Sequence, residues 1–267
     1  MYGIKIFIVF LFLNSFSLCQ FDPGAKQIAM SYSNTASDKD VFALFNNPSC
    51  LTNISSSEVG IYYSPAPFGL KELSNAYAAF NEPTNFGSFA LGAMDYGFDL
   101  YREYKIVFGY AKNILSNLSA GVALNYHAVS IKNYGKTSTF YLDAGFLMQL
   151  ADELSYGFLV KNINRADFGK NDNHIPTLLR TGISFNPVKE FLLNLSFEKE
   201  TLLQPSFLFG INYDIIEFLS LRTGFSSEPA KFSGGLGINY SFLSLDYAFF
   251  SHQDLGMTHQ AGIIIHL

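Results

Sequence analysis

Five histidines, His127, His174, His252, His259 and His266, are the residues best suited to metal or proton chemistry, and their spacing gathers none of them into a cluster. A metal centre needs several converging ligands and groups that orient them. His252 and His259 are a loosely spaced pair, with Asp254 the one carboxylate between them. A hydrolase needs a nucleophile, a base and an orienting group at one point. The linear sequence has no nucleophile elbow and no paired carboxylates beside a histidine. Of the two cysteines, Cys50 reads as a small apolar filler and Cys19 closes an N-terminal apolar leader. The residues therefore point to a protein that is not an enzyme and uses no metal and no cofactor.

The remaining chemistry is carried by isolated charges of mixed sign: Lys105, Asp143, Lys161, Arg180, Glu198, Asp214, Arg222 and Asp246. Two uses suit such a set. The charges can pair across an enclosed interior and hold an inner segment to the wall around it, or they can line a path that selects a polar solute.

The elements that must position them alternate with a period of two. In the stretch 207–225, Phe207, Phe209, Ile211 and Tyr213 share one face and Leu208, Gly210, Asn212 and Asp214 the other; after a short turn, Leu219, Leu221, Thr223 and Phe225 oppose Ser220, Arg222 and Gly224. Two such runs across a turn form a hairpin. The bulky face suits lipid and the small polar face suits a lumen. Composition agrees: 15% charged residues is well below the roughly 25% of soluble domains. Beyond the leader, no apolar run approaches the ~18 residues of a spanning helix, which leaves a closed barrel as the way across a membrane. A net charge of −5 with scattered Lys and Arg argues against a nucleic-acid partner.

Alternating runs recur near 58–64, 75–81, 86–97, 104–112, 118–131, 139–149, 154–163, 178–186, 191–198, 206–213, 218–226, 232–240, 243–250 and 258–267. The expected fold is an all-β, transmembrane antiparallel β-barrel of about 14 strands. Its connections alternate between tight (82–85, 113–117, 151–153, 187–190, 214–217, 240–242) and longer or more polar (97–103, 132–138, 164–177, 199–205, 227–231, 251–257). Outer-membrane barrels sort their turns in this way, with short turns on the periplasmic side. Tyr62, Tyr63, Tyr101, Tyr104, Tyr126, Tyr213 and Tyr240 are candidates for aromatic girdles.

Residues 1–19 read as a signal peptide: Lys5, an apolar stretch over 6–13 and an imperfect small-x-small site at 17–19. The rival reading lipidates Cys19. Export to the bacterial outer membrane follows, with membrane lipid and the barrel assembly machinery as partners. Residues 20–57 break the strand pattern, and Asp40 is placed to cap a brief helix ending before Pro48. A fourteen-stranded barrel is too wide for small inward side chains to fill. The arm is therefore expected to be a hatch, with residues 24–51 inside the barrel that 58–267 forms.

Two blocks carry a family resemblance. Gly24-Ala25-Lys26-x-x-Ala29-Met30, then Ala36-x-Asp38, then Phe45-x-Asn47-Pro48-Ser49-Cys50-Leu51, resembles the opening of PorV/PorQ-type outer-membrane proteins, which are relatives of FadL-type transporters; His252-x-Asp254-Leu255-Gly256-x-Thr258-His259 is similar to the end of that family. Lys26 for Arg, Ala29 and Ser31 for Gly, and the absence of Trp depart from the pattern. The resemblance implies a hatch in which Gly24, Ala25, Met30, Asn47 and Pro48 are structural. It also implies a barrel that docks exported proteins or partner subunits of a type IX-like secretion system. The alternative is a FadL-like channel for hydrophobic small molecules.

Overall fold

The computed structural model describes residues 22–169, 175–252 and 255–267. The expected leader with Cys19, together with His174 and Asp254, lies outside the described residues.

Fourteen antiparallel strands follow one another around a closed barrel: β1 (Glu58–Ser64), β2 (Asn75–Thr84), β3 (Gly87–Phe98), β4 (Tyr101–Leu115), β5 (Leu118–Ile131), β6 (Gly135–Ala151), β7 (Leu154–Lys161), β8 (Leu178–Val188), β9 (Phe191–Glu200), β10 (Ser206–Ile216), β11 (Leu219–Ser227), β12 (Ala230–Tyr240), β13 (Leu243–His252) and β14 (Gly256–His266). β1 closes on β14 with Glu58 opposite His266 and Tyr63 opposite Ala261. Closure leaves no unpaired sheet edge, which a lipid environment would not tolerate.

The two faces separate as the alternation requires. Ile61, Leu91, Ile106, Phe108, Leu221 and Ile263 are exposed on the outside, while Ser196, Ser220, Gly224 and Ser233 face inward and are buried. Adjacent strand residues cannot share a face, so the tyrosine girdle needs correction. Tyr63 is exposed but Tyr62 is buried in the lumen, and the Tyr101 hydroxyl turns in to bond Glu103 Oε1 at 2.7 Å. Tyr104, Tyr213 and Tyr240 stay outside.

One end of the barrel carries only two-residue turns, at 85–86, 116–117, 152–153, 189–190, 217–218 and 241–242. The other end carries the long connections 65–74 and 162–177. Several turns at that end are shorter than expected: 99–100 and 228–229 are two-residue links and 132–134 a three-residue one, because the ladders run on through Phe98↔Tyr101, Ser227↔Ala230 and Ile131↔Gly135. The polar residues that suggested a loop pair within the sheet instead, with Arg102 Nε 3.0 Å from Asp95 Oδ1.

Residues 22–57 pack against the inward face of this wall. They form α1 (Ala25–Ala29), α2 (Ala43–Asn46) and a 3-10 turn, Pro48–Asn53. From position 23 to 51 only Lys39 is exposed. α1 lies on β11 to β14, and the 3-10 turn lies on β3 to β6. Asp40 accepts the Phe42 N–H at 3.0 Å, shaping the turn into α2. The apolar run Val41 to Phe45 joins a buried cluster with Tyr62, Tyr77, Ala90 and Val107. Phe45 meets Tyr77 edge-on at 5.1 Å between ring centroids.

Candidate functional site

Glycines make the fit between the segment and the wall possible. A Cβ added at Gly92 would fall 2.5 Å from Phe45 Cζ and 2.8 Å from Leu44 Cδ2, and one at Gly224 would fall 2.5 Å from the Met30 carbonyl carbon. At Gly121 it would strike the Pro48–Ser49 backbone, and at Gly157 the Thr35 carbonyl. Bare backbone on both sides lets the two surfaces approach closely.

The residues singled out from the N-terminal block occupy these contacts. Gly24 takes φ 111° ahead of α1, a left-handed conformation that favours glycine. Ala25 faces Gly262, Met30 sits on Gly210 and Gly224, Asn47 on Gly145 and Pro48 on Gly121. Asn47 donates to the Thr35 carbonyl at 2.7 Å and accepts from the Ser49 hydroxyl at 2.8 Å.

The inward charges find partners on nearby strands and on the strand ends. Asp143 accepts from Asn125 at 2.9 Å and from the Asn162 backbone at 2.8 Å, Arg222 pairs with Asp246 and bonds Asn212 at 2.8 Å, and Asp214 accepts from Ser220 at 2.6 Å. Lys105 Nζ lies 5.7 Å from the Tyr141 ring centroid. Two reach the N-terminal segment: Asp22 Oδ1 is 2.5 Å from Lys161 Nζ, and its other oxygen is 3.9 Å from Arg180, which holds Glu198 at 2.6 Å through Nε. Tyr32 donates its hydroxyl to the Asp22 carbonyl at 2.8 Å and lies under Arg180.

Asp22 therefore marks a boundary, with a cavity on each side of it. One, of about 70 Å³, is lined by Phe45, Tyr77, Tyr141, Phe168, Lys105 and Asp143 among others. The second, of about 120 Å³, is lined by Ile28, Tyr32, Leu178, Leu208, Arg180 and Phe250 among others. Both lie toward the end with the long connections. Asn162, Phe168, Ile175 and Pro176 border the first; Asn162 accepts the Ala166 N–H at 2.8 Å, and the Phe168 ring meets His127 at 4.9 Å. His127 is buried against Glu103 at 2.7 Å. Among the described residues no three of His, Cys, Asp or Glu converge on a metal position.

Comparison with solved structures finds the same fold in proteins described as hydrocarbon channels and transporters. CymD, a monoaromatic hydrocarbon channel, superposes with a TM-score of 0.70 at 12% identity, over 92% of this chain and 97% of that one. The toluene transporter TodX of Pseudomonas putida gives 0.64 at 12%, covering 91% and 96%. A FadL homologue of Pseudomonas aeruginosa gives 0.60 at 11%, covering 91% and 96%. The fold is that of FadL-like outer-membrane barrels. No protein-family model matches the chain, and no curated protein matches it.

These neighbours overturn the expected secretion-docking role. They are channels and transporters of the FadL type, and nothing links the barrel to PorV/PorQ or to type IX secretion. The physical reason lies in the motif itself. Gly24, Ala25, Met30, Asn47 and Pro48 are spent on fitting an inner segment to a glycine-lined wall, so their pattern reports a packing solution and carries no docking chemistry.

Sequence reasoning missed Asp22, Glu103 and Glu58 as inward groups. Glu103 was readable, since it stands two residues before Lys105 on one strand and so shares its face. It was hidden by assigning 97–103 to a loop. Asp22 carries no local signal, because its partners are far away in sequence.

Buried acids also stand inside the N-terminal segment. Asp38 and Asp40 both accept from Gln27 Nε2 at 2.9 Å, and Asn34 donates to Asp38. Burial, reinforced by the neighbouring Asp40 charge, pushes the Asp38 carboxyl up to about 7. Burial likewise pushes the Cys50 thiol well above its usual range.

Proposed function

We propose that this protein is an outer-membrane channel that passes small hydrophobic molecules, with residues 22–57 as its hatch. The observation that carries the reading is the pair of part-apolar cavities on either side of Asp22, where that hatch is tied to the wall by Lys161 and Arg180. Pockets of this kind, aromatic and aliphatic with a few placed polar groups, suit small ligands. Below them the hatch fills the lumen, so passage requires it to shift. Similarity to a toluene transporter and a monoaromatic hydrocarbon channel supports hydrophobic, ring-sized molecules as the cargo class.

The test is uptake of labelled toluene by bacteria that express the protein, against cells carrying an empty vector, with a hexose of similar size as the polar comparison. Faster toluene entry with unchanged hexose entry is the expected result, together with sedimentation in the outer-membrane fraction. Equal toluene entry in both strains would refute the channel reading.

A further inference from the structure

Three side chains far apart in sequence meet where the barrel closes, at the end with the two-residue turns. His266 on β14 stands opposite Glu58 on β1, and Ser244 lies on β13, the next strand round. His266 Nδ1 is 3.0 Å from Glu58 Oε1, and His266 Nε2 is 2.9 Å from Ser244 Oγ. When Glu58 is ionised its carboxylate can only accept; Nδ1 then carries the proton and Nε2 presents its lone pair to the serine hydroxyl. Each nitrogen faces the group that nucleophile activation requires: hydroxyl, then base, then orienting carboxylate.

The surroundings hold this geometry. The His266 N–H donates to the Phe242 carbonyl at 2.8 Å and the Leu267 N–H to the Ser57 carbonyl at 2.8 Å, so the end of β14 is fixed on both sides. Glu58 is buried, while the His266 side chain keeps 32% of its exposure at the lumen mouth. Asn239 lies directly across the ladder from Ser244 and is exposed. Directly opposed residues share a face with Cβ atoms ~4.5–5.5 Å apart, so the Asn239 amide is placed to donate to an oxyanion formed at Ser244. On the outer surface of this rim Tyr240, Phe242 and Leu267 are all exposed, which sets the mouth at the membrane interface.

We propose that Ser244, His266 and Glu58 form a hydrolytic site for short-chain carboxylic esters, independent of the transport reading. Ser244 Oγ attacks the ester carbonyl carbon while its proton passes to His266 Nε2. The tetrahedral adduct collapses, the C–O bond to the alcohol breaks, and His266 returns the proton to the departing alkoxide. Water then attacks the acyl-serine, giving its proton to His266. The acid leaves, and Ser244 regains the proton. Ester and water become acid and alcohol, with no redox change. Esters fit better than amides because an alkoxide leaves with less help from a single exposed imidazole.

The experiment uses the full chain purified in detergent, with p-nitrophenyl butyrate as substrate and a fluorophosphonate as covalent probe. Folding of each variant is checked by heat-modifiable migration. The probe should attach to Ser244, as located by peptide mass mapping, and should fail to attach in His266→Asn. Ser244→Ala should lower kcat/KM by roughly 100-fold or more. Glu58→Gln should lower kcat with KM unchanged, and Glu58→Asp should recover part of the loss, as a positioning role demands. An unlabelled Ser244 in folded wild-type protein, or a Ser244→Ala variant as active as the wild type, would overturn the proposal and leave the three residues as a hydrogen-bonded closure of the barrel. Should Ser244→Ala fail to fold, the wild-type labelling decides alone.

Discussion

Replacing Gly121 by valine tests whether the N-terminal segment closes the lumen. The new Cβ would lie 2.6 Å from the Pro48 carbonyl oxygen and closer still to the Pro48 carbonyl carbon and the Ser49 nitrogen. These are backbone atoms, so no rotamer change relieves the collision. Pro48 sits in a 3-10 turn whose start is pinned by Asn47, which bonds both Ser49 and Thr35. The turn must therefore move as a body. Overpacking of this kind costs about 1–3 kcal/mol. Valine favours strands, so the cost falls on the docked segment and not on β5. At about 2 kcal/mol the ratio of seated to unseated segment falls roughly thirty-fold, since 1.4 kcal/mol is tenfold. Planar-bilayer recording should show longer and more frequent openings than the wild type. Val122→Ile, on the exposed outer face next door, should leave conductance unchanged. A Gly121→Val barrel that inserts normally and stays as closed as the wild type would refute the reasoning, as would equal opening by the outer-face control.

Three further outcomes follow from the same structure. Because the folded Asp38 carboxyl sits near 7, above its usual 3.8, its contribution to seating the N-terminal segment is complete below 3.8, falls as pH rises and is lost by about 7; bilayer conductance should rise between those two pH values and level off above them, and Asp38→Asn should flatten that rise. Asp22→Asn and Lys161→Met should each raise the open fraction, and the double variant should add little to Asp22→Asn, because the ion pair to Lys161 is already lost there while Asp22 also faces Arg180; full additivity in a double-mutant cycle would contradict the contact. Leu221→Arg, on the lipid face, should destabilise the barrel by ~2–4 kcal/mol if it lies near the midplane, read by denaturant titration in vesicles, whereas Tyr240→Arg at the rim should cost ~0–1 kcal/mol.

The cavities and the ester site differ in location, which keeps their tests separate. The cavities lie toward the long connections, bordered by Asp22 and Leu178. Ser244 and His266 lie beside the turn 241–242 at the other end. Loss of ester cleavage through Ser244→Ala should leave toluene uptake unaffected, and the Asp22 and Lys161 variants should do the reverse.

Strand number and face were legible without coordinates because a strand's side chains alternate strictly and lipid demands apolar bulk on one side only. Every run marked from Glu58 onward became a strand, and Leu221 and Ser220 point as their types require. The same local rule also shows why Tyr62 and Tyr63 could not both belong to a girdle. Which turns were short was legible only in part, since Arg102 looks like a loop residue until the ladder sets it opposite Gly97 and its side chain reaches Asp95. Which wall residues the inner segment meets was decided by tertiary structure alone. The glycines at 92, 121 and 224 each resemble a weak spot in a strand until α1, α2 and the 3-10 turn are laid against them. Asp22 gains its meaning from Lys161, 139 positions away, and Glu58 from His266, 208 positions away. Pattern in a chain reports which side of a strand meets lipid, because that is decided residue by residue. Closing a barrel joins its first strand to its last and folds one end of the chain into the middle, and those contacts exist only once every strand is in register.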